Sequence, residues 1–278
     1  MLSARTNYFR ATYAINARNC APAAESMLRS PTLLDAARAL YGRGAVTPFL
    51  LYANVMVPGQ ELGLHTDVPA YRGVSPAMVP VWLLVVMRHS GRFEDRRIPI
   101  ATAVVYFGES RGGDLALYPD GADSDVVTLV PRRNAYVTFD ADSVFHGVDR
   151  LDGDATPLRH LGSHSQLSRR ADDTWTLSHG DGCPASYGEG DVRFSVSWKA
   201  YCYADATEKT ATDTVSVGSI IDTLVEELCD RGRLPGVNHG LSDVELGRLL
   251  IDEFVRFPSP TSGRSAGSSG SLRPRSGH

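Results

Sequence analysis

Between about Val46 and Ala204 the chain is cut into short apolar, β-branched runs, with Gly, Pro, Asp and Ser clusters between them and no helical stretch separating one run from the next. The runs fall near residues 49–57, 61–67, 79–87, 98–107, 114–118, 126–130, 135–139, 144–148 and 192–203. Parallel strands each need a long crossover, usually a helix, and most of these gaps are too short for one. The pattern therefore predicts an antiparallel sandwich or barrel, with Trp82 in a core strand, and excludes a βαβ fold.

Helices are expected at both ends. Residues 22–28 and 31–40 are rich in Ala and Leu, Pro22 and Pro31 suit a first helical turn, and Gly42 and Gly44 end the second helix. At the other end, residues 217–231 and 242–254 each carry an apolar face, and Ser242 followed by Glu245 is a capping-box pattern. Residues 150–191 are polar and rich in Gly and Asp, with His160, His164 and His179, and read as an insertion holding its own hairpin or forming a lid, with Trp175 and Tyr187 as lid residues in the second case. The Ser/Gly-rich tail, 259–278, should be disordered. We read residues 1–258 as a single domain with its β core at about 46–204 and C-terminal helices within 217–256.

Composition limits the partners. A net charge of −4 over 278 residues argues against nucleic acid or an anionic membrane, and 42% apolar residues suffice for a sizeable core. The four cysteines, Cys20, Cys183, Cys202 and Cys229, have neither metal-module nor disulfide-framework spacing, and read as buried thiols in a reducing compartment. Residues 1–16 lack the features of a secretory signal and the longest apolar run is too short to span a bilayer, so a cytoplasmic location is expected.

Chemistry concentrates at Leu64-His65-Thr66-Asp67. Two residues apart on a strand, His65 and Asp67 share a face, and together they supply two thirds of the facial set of two His and one carboxylate that holds a non-haem Fe(II). The missing imidazole is placed at His146, in Val144-Phe-His-Gly-Val, on a later strand that a sandwich can bring opposite the first. In Arg193-Phe-Ser-Val-Ser, alternation puts Arg193, Ser195 and Ser197 on one face, and a buried Arg there calls for an anion. Asn54, on the preceding strand, is read either as an inward group facing cosubstrate or substrate or as a strand-end hydrogen bonder, and Arg72 either as a contact for an anionic substrate or as an idle surface residue.

In this order the pieces resemble the Fe(II)/2-oxoglutarate-dependent dioxygenase superfamily, with H-x-D, a distal His, then R-x-S on a closing strand. Gly112-Gly113-Asp114-Leu-Ala-Leu-Tyr-Pro119 is similar to a strand of its prolyl-hydroxylase-like branch. The resemblance implies a double-stranded β-helix of the jelly-roll or cupin-like kind with flanking N- and C-terminal helices. It further implies Fe(II) on His65, Asp67 and His146, and 2-oxoglutarate as cosubstrate on Arg193 and Ser195, with Asn54 nearby. The implied reaction is hydroxylation of a small molecule with O2, releasing succinate and CO2. A protein hydroxylase of the prolyl type and a cupin-like binder without redox chemistry are the alternatives. One departure stands out: Arg193 follows His146 by 47 residues, much farther than the family's usual spacing, whereas Arg159 follows it by 13 but lacks the R-x-S strand. We read Arg193 as the anchor and Arg159 as the alternative.

Overall fold

The computed structural model describes residues 9–74, 77–121, 124–162, 164–178, 184–210, 214–238 and 240–256. His179, Cys183 and the tail 259–278 lie outside the described residues.

The first described element is a strand. β1 (Phe9–Ile15) turns through Asn16 and Ala17, at φ 51° and 62°, into β2 (Arg18–Asn19). Two successive left-handed residues make the tight turn whose twist suits a hairpin, but Ala at the second position replaces the usual Gly and hides the signal. The helices α1 (Glu25–Leu28) and α2 (Pro31–Tyr41) follow, the second closed by Gly42 at φ 64°. Next come β3 (Ala45–Met56), β4 (Leu62–His65) and β5 (Ala70–Tyr71).

The expected strand at residues 79–87 is a helix, α3 (Val81–Ser90). Pro80 caps its start, Gly91 ends it at φ 71°, and Leu83, Leu84, Val86 and Met87 are buried on more than one side. A run that is apolar all round gives no periodicity to tell buried helix from buried strand. Trp82, expected in the core, is 37% exposed and lies over Gly247.

The chain then alternates short strands: β6 (Arg97–Ile98), β7 (Ile100–Tyr106), β8 (Leu115–Tyr118), β9 (Val127–Leu129), β10 (Tyr136–Asp140) and β11 (Phe145–Val148). The segment after His146 builds a three-stranded sheet from β12 (Gln166–Arg169), β13 (Trp175–Ser178) and β14 (Ala185–Tyr187). After the long strand β15 (Arg193–Tyr203) come α4 (Ala206–Thr210), α5 (Val217–Asp230) and α6 (Asp243–Phe254), the last with the Ser242/Glu245 capping box formed.

Two antiparallel sheets dominate, in the orders β10-β7-β15-β3-β1-β2 and β4-β11-β8-β9. Their facing sides share one apolar core: Met56, Val104, Val137 and Phe139 from the larger meet Leu62, Leu115, Leu117 and Val148 from the smaller. On its outer side the larger sheet packs Leu51, Ala103, Val196 and Trp198 against Leu28, Leu33 and Ala37 of α1 and α2, and the Trp198 indole N–H donates to the Leu28 carbonyl at 2.8 Å. Helices α3, α5 and α6 form a separate core around Leu83, Met87, Leu224 and Leu250.

The three-stranded sheet packs Trp175, Leu177 and Tyr187 onto Val55, Val57 and Phe194. Val55 and Phe194 alternate with Asn54 and Ser195, which face the other way, so Trp175 and Tyr187 are core residues of the outer side and form no lid. Of the described cysteines, Cys202 is buried, Cys229 is partly so and Cys20 is exposed. Among the described residues no helix is long and apolar enough to cross a membrane.

One buried ionic network ties these parts together. From β6, the Arg97 guanidinium donates to Asp140 at 2.6 Å and to Asp142 and Ser143 at 3.1 Å. Arg88 of α3 reaches the same Ser143 hydroxyl at 2.6 Å. The turn 140–143, which leads into β11, is thus held from two sides.

Candidate metal centre

Strand pairing assembles the two histidines. His65 closes β4 and stands directly opposite His146 of β11, their ring centroids 4.3 Å apart. β4 approaches this closely because position 147 is glycine: a Cβ there would lie 2.8 Å from the Leu62 carbonyl oxygen. Asp67 follows just beyond the strand end, its backbone N–H donating to the Ala141 carbonyl at 2.8 Å, and its carboxylate oxygen lies 3.9 Å from His146 Nε2. One ligand atom from each of His65, Asp67 and His146 lies within 4.8 Å of the others.

The hydrogen bonds around these rings leave the right atoms free. Nδ1 of His65 lies 2.8 Å from the Gly63 carbonyl and Nδ1 of His146 lies 2.9 Å from that of Val144. A carbonyl only accepts, so each Nδ1 carries a hydrogen, and in the neutral ring the lone pair is then on Nε2. Burial pulls His146 down to about 4, against the opposing pull of Asp67, so this imidazole is neutral at physiological pH, as a ligand must be. Two imidazole nitrogens and one carboxylate, with no thiolate, are the donor set suited to Fe(II) with open positions.

Asp67 has a second partner that sequence reasoning missed. Burial raises its carboxyl, but Lys199, whose ammonium donates to the Asp67 carboxylate, and His146 together hold it below the usual carboxylate range. Lys199 is buried on β15 and continues the inward alternation of Arg193, Ser195 and Ser197 by one step, which is the signal that could have found it. Replacing Lys199 with Met leaves Asp67 unpaired, and the metal-free protein should lose about 1–3 kcal/mol, less than for a fully buried pair because Asp67 is partly exposed. A divalent ion then takes over the neutralisation, so Ni(II) should raise the Tm of Lys199→Met by more than it raises the wild type. Equal shifts would show that ammonium and metal do not share this carboxylate.

A cavity of about 620 Å³ opens between the two sheets, and His65, Asp67, His146, Asn54, Arg193, Ser195 and Ser197 all line it. Arg193 is 3% exposed and no carboxylate pairs with it among the described residues. Its Nε donates to the Gly113 carbonyl at 2.8 Å, one Nη to Ser195 at 2.9 Å and the other to the Tyr106 hydroxyl at 3.4 Å. Of five N–H donors two remain, one on each terminal nitrogen, which is the fork a carboxylate accepts. Desolvation lowers the guanidinium from its ordinary value, while Tyr106 and the Asp114 carboxylate pull the other way. The Gly112-Gly113 pair lies left-handed at φ 70° and 74°, and a Cβ on Gly113 would stand 2.9 Å from the Arg193 side chain.

Asn54 points inward: its amide donates to Ser197 at 3.2 Å, while its carbonyl oxygen, like the Thr102 hydroxyl, is buried without a partner. Arg159 lies in a short turn outside the cavity, beside Arg150 and Asp154. Arg72 donates to the Asp95 carbonyl and does not line the cavity, and His164 is exposed. Arg10, on the strand the sequence concealed, lines the mouth.

No family model matches the chain, and no characterised protein matches it in sequence. Among solved structures it is similar to an oxidoreductase of the 2OG-Fe(II) oxygenase family from Burkholderia pseudomallei, at TM-score 0.42 and 11% identity over 72% of this chain and 69% of that one. A prolyl-4-hydroxylase from Pseudomonas putida superposes at 0.38 and 16% identity, covering 72% and 76%. HygX from Streptomyces hygroscopicus, with nickel, 2-oxoglutarate and hygromycin B bound, does so at 0.38 and 10% identity, covering 76% and 83%. Likenesses this distant assign no residue and no substrate to this chain.

Proposed function

We propose that the protein is an Fe(II)- and 2-oxoglutarate-dependent oxygenase on a double-stranded β-helix core, oxidising a small molecule. One observation carries the reading: a 2-His-1-carboxylate set and an unpaired, buried guanidinium line the same cavity. A protein that binds a metal alone has no use for the second feature. At about 620 Å³ the cavity has the size of small-molecule sites, which favours a metabolite over a polypeptide.

His65, Asp67 and His146 would hold the metal, and Arg193 with Ser195 the distal carboxylate of 2-oxoglutarate. When bound, metal and cosubstrate supply oxidation of a C–H bond by O2, with succinate and CO2 released. The chain's own residues prepare that chemistry. The Gly63 and Val144 carbonyls fix the ring tautomers, and the Lys199 ammonium keeps Asp67 ionised. Met56, Leu62, Leu115, Phe139 and Val148 line the walls with apolar surface and thin out the water around the reacting centre. Because Asp67 fills the carboxylate position, hydroxylation is favoured over halogenation, which needs that position for halide.

Anaerobic titration of the protein with Fe(II) and 2-oxoglutarate tests the reading. A visible charge-transfer band should appear in the wild type and be missing in His65→Ala. No band in either protein would leave a metal or ligand binder as the better account.

A further inference from the structure

We infer that the compound oxidised here is a small organic anion, and that Arg10 holds its carboxylate or phosphate at the cavity mouth. The inference rests on the oxygenase reading above. In the larger sheet Arg10, Asn54, Ser195 and Tyr106 stand in one row across β1, β3, β15 and β7, so Arg10 faces the same side as the 2-oxoglutarate anchor, two strands away. It lines the same cavity as the metal-ligand set. Its guanidinium lies over the Tyr52 ring, 3.7 Å from the centroid, and among the described residues no carboxylate pairs with it. Stacked on a ring, a guanidinium keeps its in-plane N–H donors clear of the aromatic face, and those donors match a carboxylate or phosphate edge.

Charge points the same way. Among the described residues that line the cavity, Asp67 is the one acid. With a divalent ion and the dianionic cosubstrate in place, Asp67 and Arg193 bring the charge of the lining to zero, and Arg10 makes it one charge positive. A neutral substrate would leave that field unanswered, whereas an anion is drawn in by it and oriented with its charged end outward at Arg10. The reacting carbon is then turned towards the metal ligands. The cosubstrate claims part of the 620 Å³, and the remainder suits a compound of metabolite size.

The test is binding to the Ni(II)-loaded protein, with and without 2-oxoglutarate, using paired probes. Each carboxylic acid or phosphate ester, drawn from acylated amino acids, hydroxy acids and sugar phosphates, is compared with its neutral amide or alkyl ester. Hits should fall on the anionic side at least tenfold tighter than their neutral twins, and the two sets of anions tell carboxylate from phosphate. Arg10→Gln should weaken those hits at least tenfold, Arg10→Lys less so, and neither should change 2-oxoglutarate affinity. The assignment is overturned if neutral twins bind as well, if Arg10→Gln keeps the anion within twofold, or if no anion in the set binds. A missing Fe(II)/2-oxoglutarate band would sink the oxygenase reading alone, because the probe comparison is also made without cosubstrate.

Discussion

Arg193→Ala should weaken 2-oxoglutarate by about 2–4 kcal/mol, roughly 30- to 1000-fold, while Ni(II) still binds. The size follows from the surroundings: a carboxylate bound there gains two charge-assisted donors in a site cut off from water, and the alanine variant leaves that carboxylate buried against the Ser195 and Tyr106 hydroxyls alone. Arg193→Lys should recover only part of the loss, since an ammonium restores the charge without the fork. Calorimetry with 2-oxoglutarate on Ni(II)-loaded protein reads the effect, and intact Ni(II) affinity shows that the sheet has survived. Wild-type affinity in the alanine variant would remove Arg193 from the cosubstrate site.

Arg97→Met should cost about 3–5 kcal/mol of stability, because it strands Asp140 and Asp142 around the hole left by one buried cation. The turn they occupy carries the Ala141 carbonyl that fixes the Asp67 backbone, so metal affinity should fall as well. Urea unfolding gives the first quantity, and a loss below about 1 kcal/mol would show that the network is dispensable. The pair also sets a pH dependence. Burial and the hydrogen bond with Asp140 push Asp142 up to about 8 from 3.8. A carboxyl raised on folding stabilises the fold fully below its unfolded value, and the contribution is lost as pH climbs through about 8. Asp142→Asn, which stays neutral throughout, should therefore gain stability relative to the wild type between pH 5 and pH 9. A constant difference over that interval would contradict the assignment.

The residues of the candidate site were more legible in the sequence than the scaffold was, and the reasons are physical. Strand alternation is strict, so Arg193, Ser195 and Ser197 could be placed on one face from spacing alone, and one more step would have added Lys199. His146 was accessible because it completes a donor set that chemistry restricts to few residue types. The hairpin at β1 and β2 was hidden because Ala17 takes a conformation normally signalled by Gly, and Arg10 went unnoticed with it. Helix α3 was mistaken for a strand because its burial on several sides erased the period, although Pro80 and Gly91 flanked it in the sequence. Which acids would gather around Arg97 depends on loop packing, which no local pattern encodes.

The three-stranded sheet between His146 and Arg193 packs on the back of the larger sheet, against Val55, Val57 and Phe194. Distance along a chain measures the length of the detour, while the two ends of a detour are pinned by the strands they join. A segment rooted this way can vary in length while the strands it joins still set where His146 and Arg193 stand. Residue counts between the proposed metal ligand and the proposed cosubstrate anchor are therefore a poor ruler for recognising sites of this kind.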